Sequence, residues 1–418
     1  MKKIQLPFID LFAGCGGLSL GLEQAGFIPV YVNELNKDAM SSYLENRKKF
    51  DWLAKTEFHS HDIFKLSRSK KNLNKLSKDL EEKFKIKKGD LALISGGPPC
   101  QGYSGIGVRR SYEVNKNDLP SNFLFKEMIK IIKHFEPKLF LFENVIGLLS
   151  SRWTKNGTKG EIFRDVLSEF KKLNNYFQEY ALVQSKNYGV PQNRPRLLLV
   201  GIRKDLNFLP NHRRIADGLL PEIRENKYPN IEDIFSDIID KKYEKELITL
   251  KYPYNPKNIF QKKLRKRKNG NGFFKKGDLL TEHEYSDHSD PIKKKFNYMI
   301  NNSGKILPKM KTKKFSQRII PKTWSKDGPN ITATSLPDDY VHYSQPRSLT
   351  VREWARLQTF PDWYIFKGKR TTGGLKRAGN PLKGNFDREL PKYTQIGNAV
   401  PVELAYRIGV NFKKIIKK

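Results

Sequence analysis

The chain has 418 residues, enough for two or three domains, and its composition excludes wholesale disorder and collagen-like repeats. Lys and Arg number 79 against 44 Asp and Glu, a formal net charge of +35 that calls for a polyanionic partner. Two cysteines are too few for a disulfide scaffold, no apolar secretion segment opens the chain, and no apolar run reaches a membrane span. The expected setting is a reducing cytoplasm, and the expected partner is nucleic acid and not a bilayer.

In chain order, apolar strands alternate with amphipathic helices over the first 200 residues, which predicts an α/β fold with a doubly wound, mostly parallel sheet. A strand at 8–12 leads through Ala13-Gly14-Cys15-Gly16-Gly17 into a helix at 18–25. The glycines let the backbone approach a ligand at the mouth of the sheet. Ser19 stands where a dinucleotide fingerprint has glycine, which favours a nucleoside without a pyrophosphate; a plain tight turn is the alternative. A second strand at 29–32 is followed by Glu34, twenty residues after Gly14, where a carboxylate can accept both ribose hydroxyls. Helices at 38–47 and 73–84 come next, then a strand at 91–95 that runs into Gly96-Gly97-Pro98-Pro99-Cys100-Gln101. Prolines stiffen this loop, glycines admit a substrate, and the Cys100 thiol stands where open sheets bind ligands. Cys15, within its glycine turn, reads as a small buried residue.

A helix at 123–134 precedes the strand at 139–143, which ends on Glu143-Asn144-Val145. A carboxylate closing an apolar strand is costly as packing, so Glu143 is expected to face the same crevice as Cys100. After a helix at 161–173, Gln192-Asn193-Arg194-Pro195-Arg196 opens a strand at 197–202 and can supply the positive charge a thiolate needs. The alternation then fails. Residues 206–330 form a basic module, with 241–320 alone at net +15, where Lys262, Lys263, Arg265, Lys266, Arg267 and Lys268 suit phosphates or simply a solvated loop. His283 and His288 lie among acidic residues but lack metal-site spacing, so no metal is expected. A helical pattern returns at 351–357, a Gly-rich loop carries Lys376 and Arg377, and a helix from 402 ends the chain.

Six of these segments, in order, resemble the family of DNA cytosine-5 methyltransferases of the bacterial restriction-modification type. They are Phe8 to Gly17, Gly97 to Gln101, Glu143 to Val145, Gln192 to Arg196, Arg347 to Trp363, and Gln395-Ile-Gly-Asn398-Ala399-Val400-Pro401. A small departure is Leu35, where an aromatic residue often follows the ribose glutamate. The resemblance implies a Rossmann-like methyltransferase domain, 1–205 completed by 386–418, and a smaller target-recognition domain with DNA-contacting loops over 206–385. It implies S-adenosyl-L-methionine as cofactor, with S-adenosyl-L-homocysteine as product, held by Phe12, Ala13, Gly14, Cys15, Gly16, Gly17, Glu34, Asp62, Ile63, Pro99, Asn398, Ala399 and Val400. For Asp62 a helix-capping role is the alternative.

By the same resemblance Cys100 would add to C6 of a flipped-out cytosine, Glu143 would serve N3, Arg194 would act through the base carbonyl and Glu143, and Arg196 would help to position loop and substrate. Double-stranded DNA would meet Gln101, Ser104, Lys262, Lys263, Arg265, Arg267, Lys376 and Arg377. A monomer is expected; whether or not a cognate restriction endonuclease exists, none would need to bind it. An amino-methylating enzyme would carry a polar residue before Pro-Pro-aromatic, where this chain has Gly97-Pro-Pro-Cys100. The long basic module argues against an RNA methyltransferase, and a catalytically silent DNA-binding regulator would not need Cys100, Glu143 and both arginines.

Overall fold

The computed structural model describes residues 5–99, 120–154, 156–206, 220, 229–311, 317–323, 329–332, 337–372, 376 and 389–417. A seven-stranded sheet organises the first half of the chain. Its strands are β1 (Pro7–Leu11), β2 (Ile28–Asn33), β3 (His59–Ser60), β4 (Leu93–Gly96), β5 (Leu139–Val145), β6 (Tyr176–Gln184) and β7 (Pro195–Arg203), in the spatial order 3-2-1-4-5-7-6. The five strands on one side of β7 are parallel, and β7 runs antiparallel to both β5 and β6. Central strands buried on both faces read as apolar runs: β1 is buried throughout, and β5 is buried until its last residue.

Two features of this topology place the site. Chain order reverses between β1 and β4, so a crevice opens outside their carboxyl ends. Because β7 is antiparallel, its beginning and not its end reaches that edge, and Arg196 pairs in register with Val145. Residues after the second parallel strand of a pair and residues before the antiparallel one therefore converge, although 96, 143 and 196 are far apart in sequence.

Helices α1 (Gly17–Gln24), α2 (Lys37–Glu45), α3 (Ile63–Ser67), α4 (Lys70–Phe84), α5 (Leu124–Phe135) and α6 (Glu161–Lys171) connect the strands. On α4 the buried positions Leu73, Leu76, Leu80 and Phe84 recur at helical spacing, which lays one stripe on the core. The terminal helix Val402–Lys417 buries Leu404, Ala405, Ile408 and Phe412 in the cluster that holds Leu18 and Leu22 of α1, so the end of the chain completes the cover of the sheet.

Past Arg203 the elements are short. Another apolar cluster joins Ile231, Ile234, Phe235 and Leu264 of the basic module to Trp354 and Leu357 of the helix Val351–Leu357. The same cluster reaches Cys15 and Leu20 beside the glycine turn. That helix starts on a capping box: the Thr350 hydroxyl accepts from Glu353 N at 3.2 Å and the Glu353 carboxylate accepts from Thr350 N at 2.8 Å. Among the described residues, no helix is long and apolar enough to cross a membrane, and no group of three or more His, Cys, Asp or Glu side chains is placed to hold a metal ion. His283 is a buried core residue bonded to Thr350 Oγ1 and Ile238 O, each at 2.9 Å, and burial pushes its pKa down to about 4.

Candidate active site

The glycine turn leaves β1 with Phe12 in the left-handed region at φ 55°. A Cβ at Gly14 would meet nothing within 4 Å, so the backbone there borders open space. The Gly14 amide donates to Glu34 Oε2 at 2.8 Å and the Asn36 amide to Glu34 Oε1 at 2.8 Å. These bonds fix the carboxylate at the end of β2 and leave each oxygen a second lone pair for a hydroxyl. Burial raises the Glu34 pKa, opposed by the two amides. Ala13 N bonds Asn33 O at 3.0 Å, tying the turn to β2.

Ser19, which marks the departure from a dinucleotide fingerprint, has a task of its own. Its hydroxyl donates to the buried Asp10 carboxylate and lies 2.9 Å from Tyr43 Oη, and Ser95 Oγ donates to the other Asp10 oxygen at 3.1 Å. Burial pushes Asp10 up to about 6, against the hydrogen bonds and the nearby Arg47 charge. This network ties β1, α1, α2 and β4 beneath the crevice. Only the misfit of serine to the fingerprint hinted at it. Cys15 is buried with its thiol directed to Gln395 O at 3.4 Å, and burial pushes its pKa up to about 12, as suits a packed and unreactive thiol.

Asn398, Ala399 and Val400 come from the far end of the chain to the same turn. A Cβ at Gly17 would lie 2.4 Å from Val400 O and 3.0 Å from Ala399 Cβ, so only glycine lets the segment approach. Asp62 caps α3 through Oδ1, which accepts from Phe64 N at 2.9 Å, with Ile63 buried behind it. It stands at the end of β3, beside the strand that positions Glu34.

The second half of the crevice lies where β4, β5 and β7 meet. Glu143 Oε1 is 2.7 Å from Arg196 Nε in an ion pair whose side chains are 12 % and 8 % exposed. Such a pair is largely dry. The loop after β4 runs directly over it: a Cβ at Gly97 would lie 2.8 Å from Glu143 Oε2, and Asn144 Nδ2 donates to Pro98 O at 3.2 Å. Pro99 is exposed at the end of this stretch. Cys100, Gln101, Ser104 and Arg377 lie outside the described residues.

The two arginines divide their work differently from the expectation. Arg196 takes the contact with Glu143 that was expected of Arg194, because Arg196 lies within β7 opposite the end of β5. Arg194 precedes the strand; the residue is 1 % exposed and its guanidinium donates to the carbonyls of Gly397 at 2.8 Å, Ala399 at 3.0 Å and Ile331.

The basic run also needs correction. Arg265, expected on phosphates, is fully buried: its Nε donates to Asp237 Oδ2 at 2.6 Å, it bonds the Tyr254 and Asp237 carbonyls, and it stacks over Tyr252 at 3.8 Å. Lys263 is paired with Glu403 of the terminal helix, and Arg267 with Asp278 at 2.8 Å. Lys262, Lys266 and Lys376 are exposed.

A parallel sheet ending in an antiparallel hairpin, with a glycine turn after its first strand and an acidic residue after its second, is the architecture of S-adenosylmethionine-dependent methyltransferases. Residues 6–414 match the family model described as C-5 cytosine-specific DNA methylase. The type II methyltransferase M.DdeI of Desulfomicrobium norvegicum is 30 % identical over 422 residues, covering 97 % of this chain and 88 % of that protein. M.FnuDI of Fusobacterium nucleatum is 30 % identical over 433 residues, covering 98 % and 95 %. A solved structure described as a DNA modification methyltransferase encoded within an E. coli prophage superposes with a TM-score of 0.66 at 20 % identity, covering 99 % of this chain and 100 % of that one. The chain belongs to the C-5 cytosine-specific DNA methylase family. It is a DNA methyltransferase that acts on C5 of cytosine.

Proposed function

We propose that the carboxyl edge of the sheet carries out this reaction with Cys100 as nucleophile and with Glu143 and Arg196 as the pair that manages charge on the base. The observation that carries the reading is the 2.7 Å Glu143–Arg196 ion pair beneath the Gly97–Pro99 backbone, which leads directly to Cys100. C5 of cytosine is a poor nucleophile. The thiolate forms a bond to C6, the C5–C6 π electrons shift toward C5 and N3, and a proton carried between Glu143 and N3 offsets the charge that develops there. Arg196 steadies Glu143 throughout and can reach the base carbonyl from the same edge. Once C5 carries the methyl group, solvent takes the C5 proton, the C5–C6 double bond re-forms with expulsion of the Cys100 thiolate, and the N3 proton returns to Glu143. C5 and C6 are reachable only once the base has left the stack.

The cofactor fits the glycine turn. Open space beside Gly14 and a carboxylate fixed at Glu34 suit a nucleoside, with Phe12, Ala13, Cys15, Gly16, Gly17, Asp62, Ile63, Pro99 and Asn398–Val400 completing the lining. When bound, S-adenosylmethionine supplies an electrophilic methyl group on a sulfonium. Residues 1–205 with 386–418 form the catalytic unit, and 206–385 reads the target and follows the backbone. Lys262, Lys263, Arg267 and Lys376, with Gln101, Ser104 and Arg377, meet the DNA, while the buried Arg265 is withdrawn from that set. The enzyme acts as a monomer and protects DNA from a cognate endonuclease that need not bind it.

Cys100→Ser tests the nucleophile. Methyl transfer to DNA should vanish while the dissociation constant for S-adenosylhomocysteine stays at the wild-type value. Substantial transfer by the variant, or an equal loss of cofactor affinity, would make Cys100 structural.

A further inference from the structure

Arg194 stands two residues before Arg196, yet its surroundings are those of a clasp. Among the described residues, its hydrogen bonds all go to main-chain carbonyls: Nη2 donates to Gly397 O at 2.8 Å, Ala399 O at 3.0 Å and Asn398 O at 3.4 Å, and Nη1 donates to Ile331 O. Ile396 O accepts from Ala399 N at 3.2 Å, but the carbonyls of 397–399 at the end of the helix Lys392–Asn398 need donors from outside it. Gln358 supplies the rest, its Nε2 donating to Ile396 O at 2.8 Å and Ala399 O at 3.2 Å.

Gln192 locks the same knot from below. Its Nε2 donates to Leu357 O at 2.6 Å and Gln358 Oε1 at 3.0 Å, and its Oε1 accepts from Ile331 N at 3.0 Å. Four segments that are distant in sequence, 192–194, 329–331, 357–358 and 396–399, thus meet at one buried point. What leaves this point is functional on both sides. Ala399 and Val400 press on Gly17 at the start of α1, and Arg196 reaches Glu143. Burial, with Arg196 adding like charge, holds the Arg194 pKa well below its ordinary value.

We infer that Arg194 is a positioning residue that sets the cofactor-facing segment Asn398–Val400 through its carbonyls, and that it does not contact the flipped base. The inference rests on the proposed placement of the cofactor at the glycine turn. Lysine keeps the charge but cannot span the carbonyls of Gly397, Ala399 and Ile331 at once, so Arg194→Lys removes the fork and little else.

The test compares Arg194→Lys, Gln358→Met and Arg196→Lys in the full-length protein. S-adenosylhomocysteine affinity is measured by calorimetry without DNA, and methyl transfer is measured at varied cofactor. Arg194→Lys should weaken cofactor binding by about ten-fold, the loss of one charge-assisted hydrogen bond. It should raise KM for the cofactor more than it lowers kcat. Gln358→Met should shift the same quantities in the same direction, and it carries the test alone if Arg194→Lys does not fold. Arg196→Lys should lower kcat at unchanged cofactor affinity. Wild-type cofactor affinity with a collapsed kcat in Arg194→Lys would place Arg194 on the base, and wild-type affinity in Gln358→Met would break the link through 396–399. Glu34→Ala separates the premise from the inference: if it leaves cofactor affinity intact, the placement of the cofactor falls.

Discussion

At the carboxyl edge of the sheet and in the basic module, the same residue types meet different fates. At the edge, Glu143 and Arg196 are brought together by strand ends into one largely buried ion pair beside the crevice, the pair proposed to act on the base. In the module Arg265, and in the segment after it Arg347, Arg352 and Arg356, are all buried, whereas Lys262, Lys266 and Lys268 in the same run as Arg265 face solvent. Arg356 alone joins Asp237 at 2.6 Å to Asp362 at 2.5 Å. The reason is chemical. Guanidinium has a planar fork of donors that carboxylates and carbonyls can saturate, while an ammonium group is small and strongly hydrated. Charge counted in the sequence therefore overstates what DNA can meet, and the surplus that faces outward is carried mainly by lysine.

The contrast is tested most severely by stability. Arg265→Met leaves Asp237 buried with one partner fewer, and breaking a buried pair costs roughly 3–5 kcal/mol. The low end is expected here, because Arg356 still holds Asp237. Lys262→Gln should leave the urea midpoint where it is. Equal midpoints for the two variants would mean that Arg265 is not the structural residue its contacts make it. A smaller effect should appear in DNA binding. Neutralising Lys262 and Lys266 together should reduce the slope of log affinity against log salt by about 0.9 for each phosphate that the protein no longer neutralises, with target preference unchanged. An unchanged slope would make the run a solvated face and move the phosphate-binding surface elsewhere, Lys376 being the next exposed candidate.

Much of the sheet was legible because its central strands are apolar runs separated by amphipathic helices. β1, β2, β4, β5 and β7 lie within two residues of where that pattern places them. β6 was not legible: at the edge of the sheet it leaves Phe177, Tyr180 and Leu182 exposed, so its residues show neither a buried run nor a clean alternation. β3 has two residues, too few to carry a period. In the site, Glu34 and Glu143 announced themselves as carboxylates closing apolar strands. The exchange between the arginines did not, since residues two apart in an extended chain share a face. The apolar pattern placed both arginines before the strand, and only Pro195 as the start of β7 could have signalled that Arg196 lies within it and Arg194 outside. The clasp of Gln192 and Gln358 joins partners 166 residues apart and leaves no local trace.

The central claim is that the edge of the sheet performs a covalent reaction on a base turned out of the duplex, and one measurement bears on it directly. A duplex carrying 5-fluorocytosine at the methylated position is incubated with enzyme and S-adenosylmethionine, and the product is resolved under denaturing conditions and mapped by peptide mass spectrometry. Fluorine cannot leave as the C5 proton does, so the account predicts a stable protein–DNA adduct carried on the peptide that contains Cys100, formed far more slowly by Arg196→Lys. An active enzyme that forms no adduct, or an adduct carried by Cys15, would contradict it.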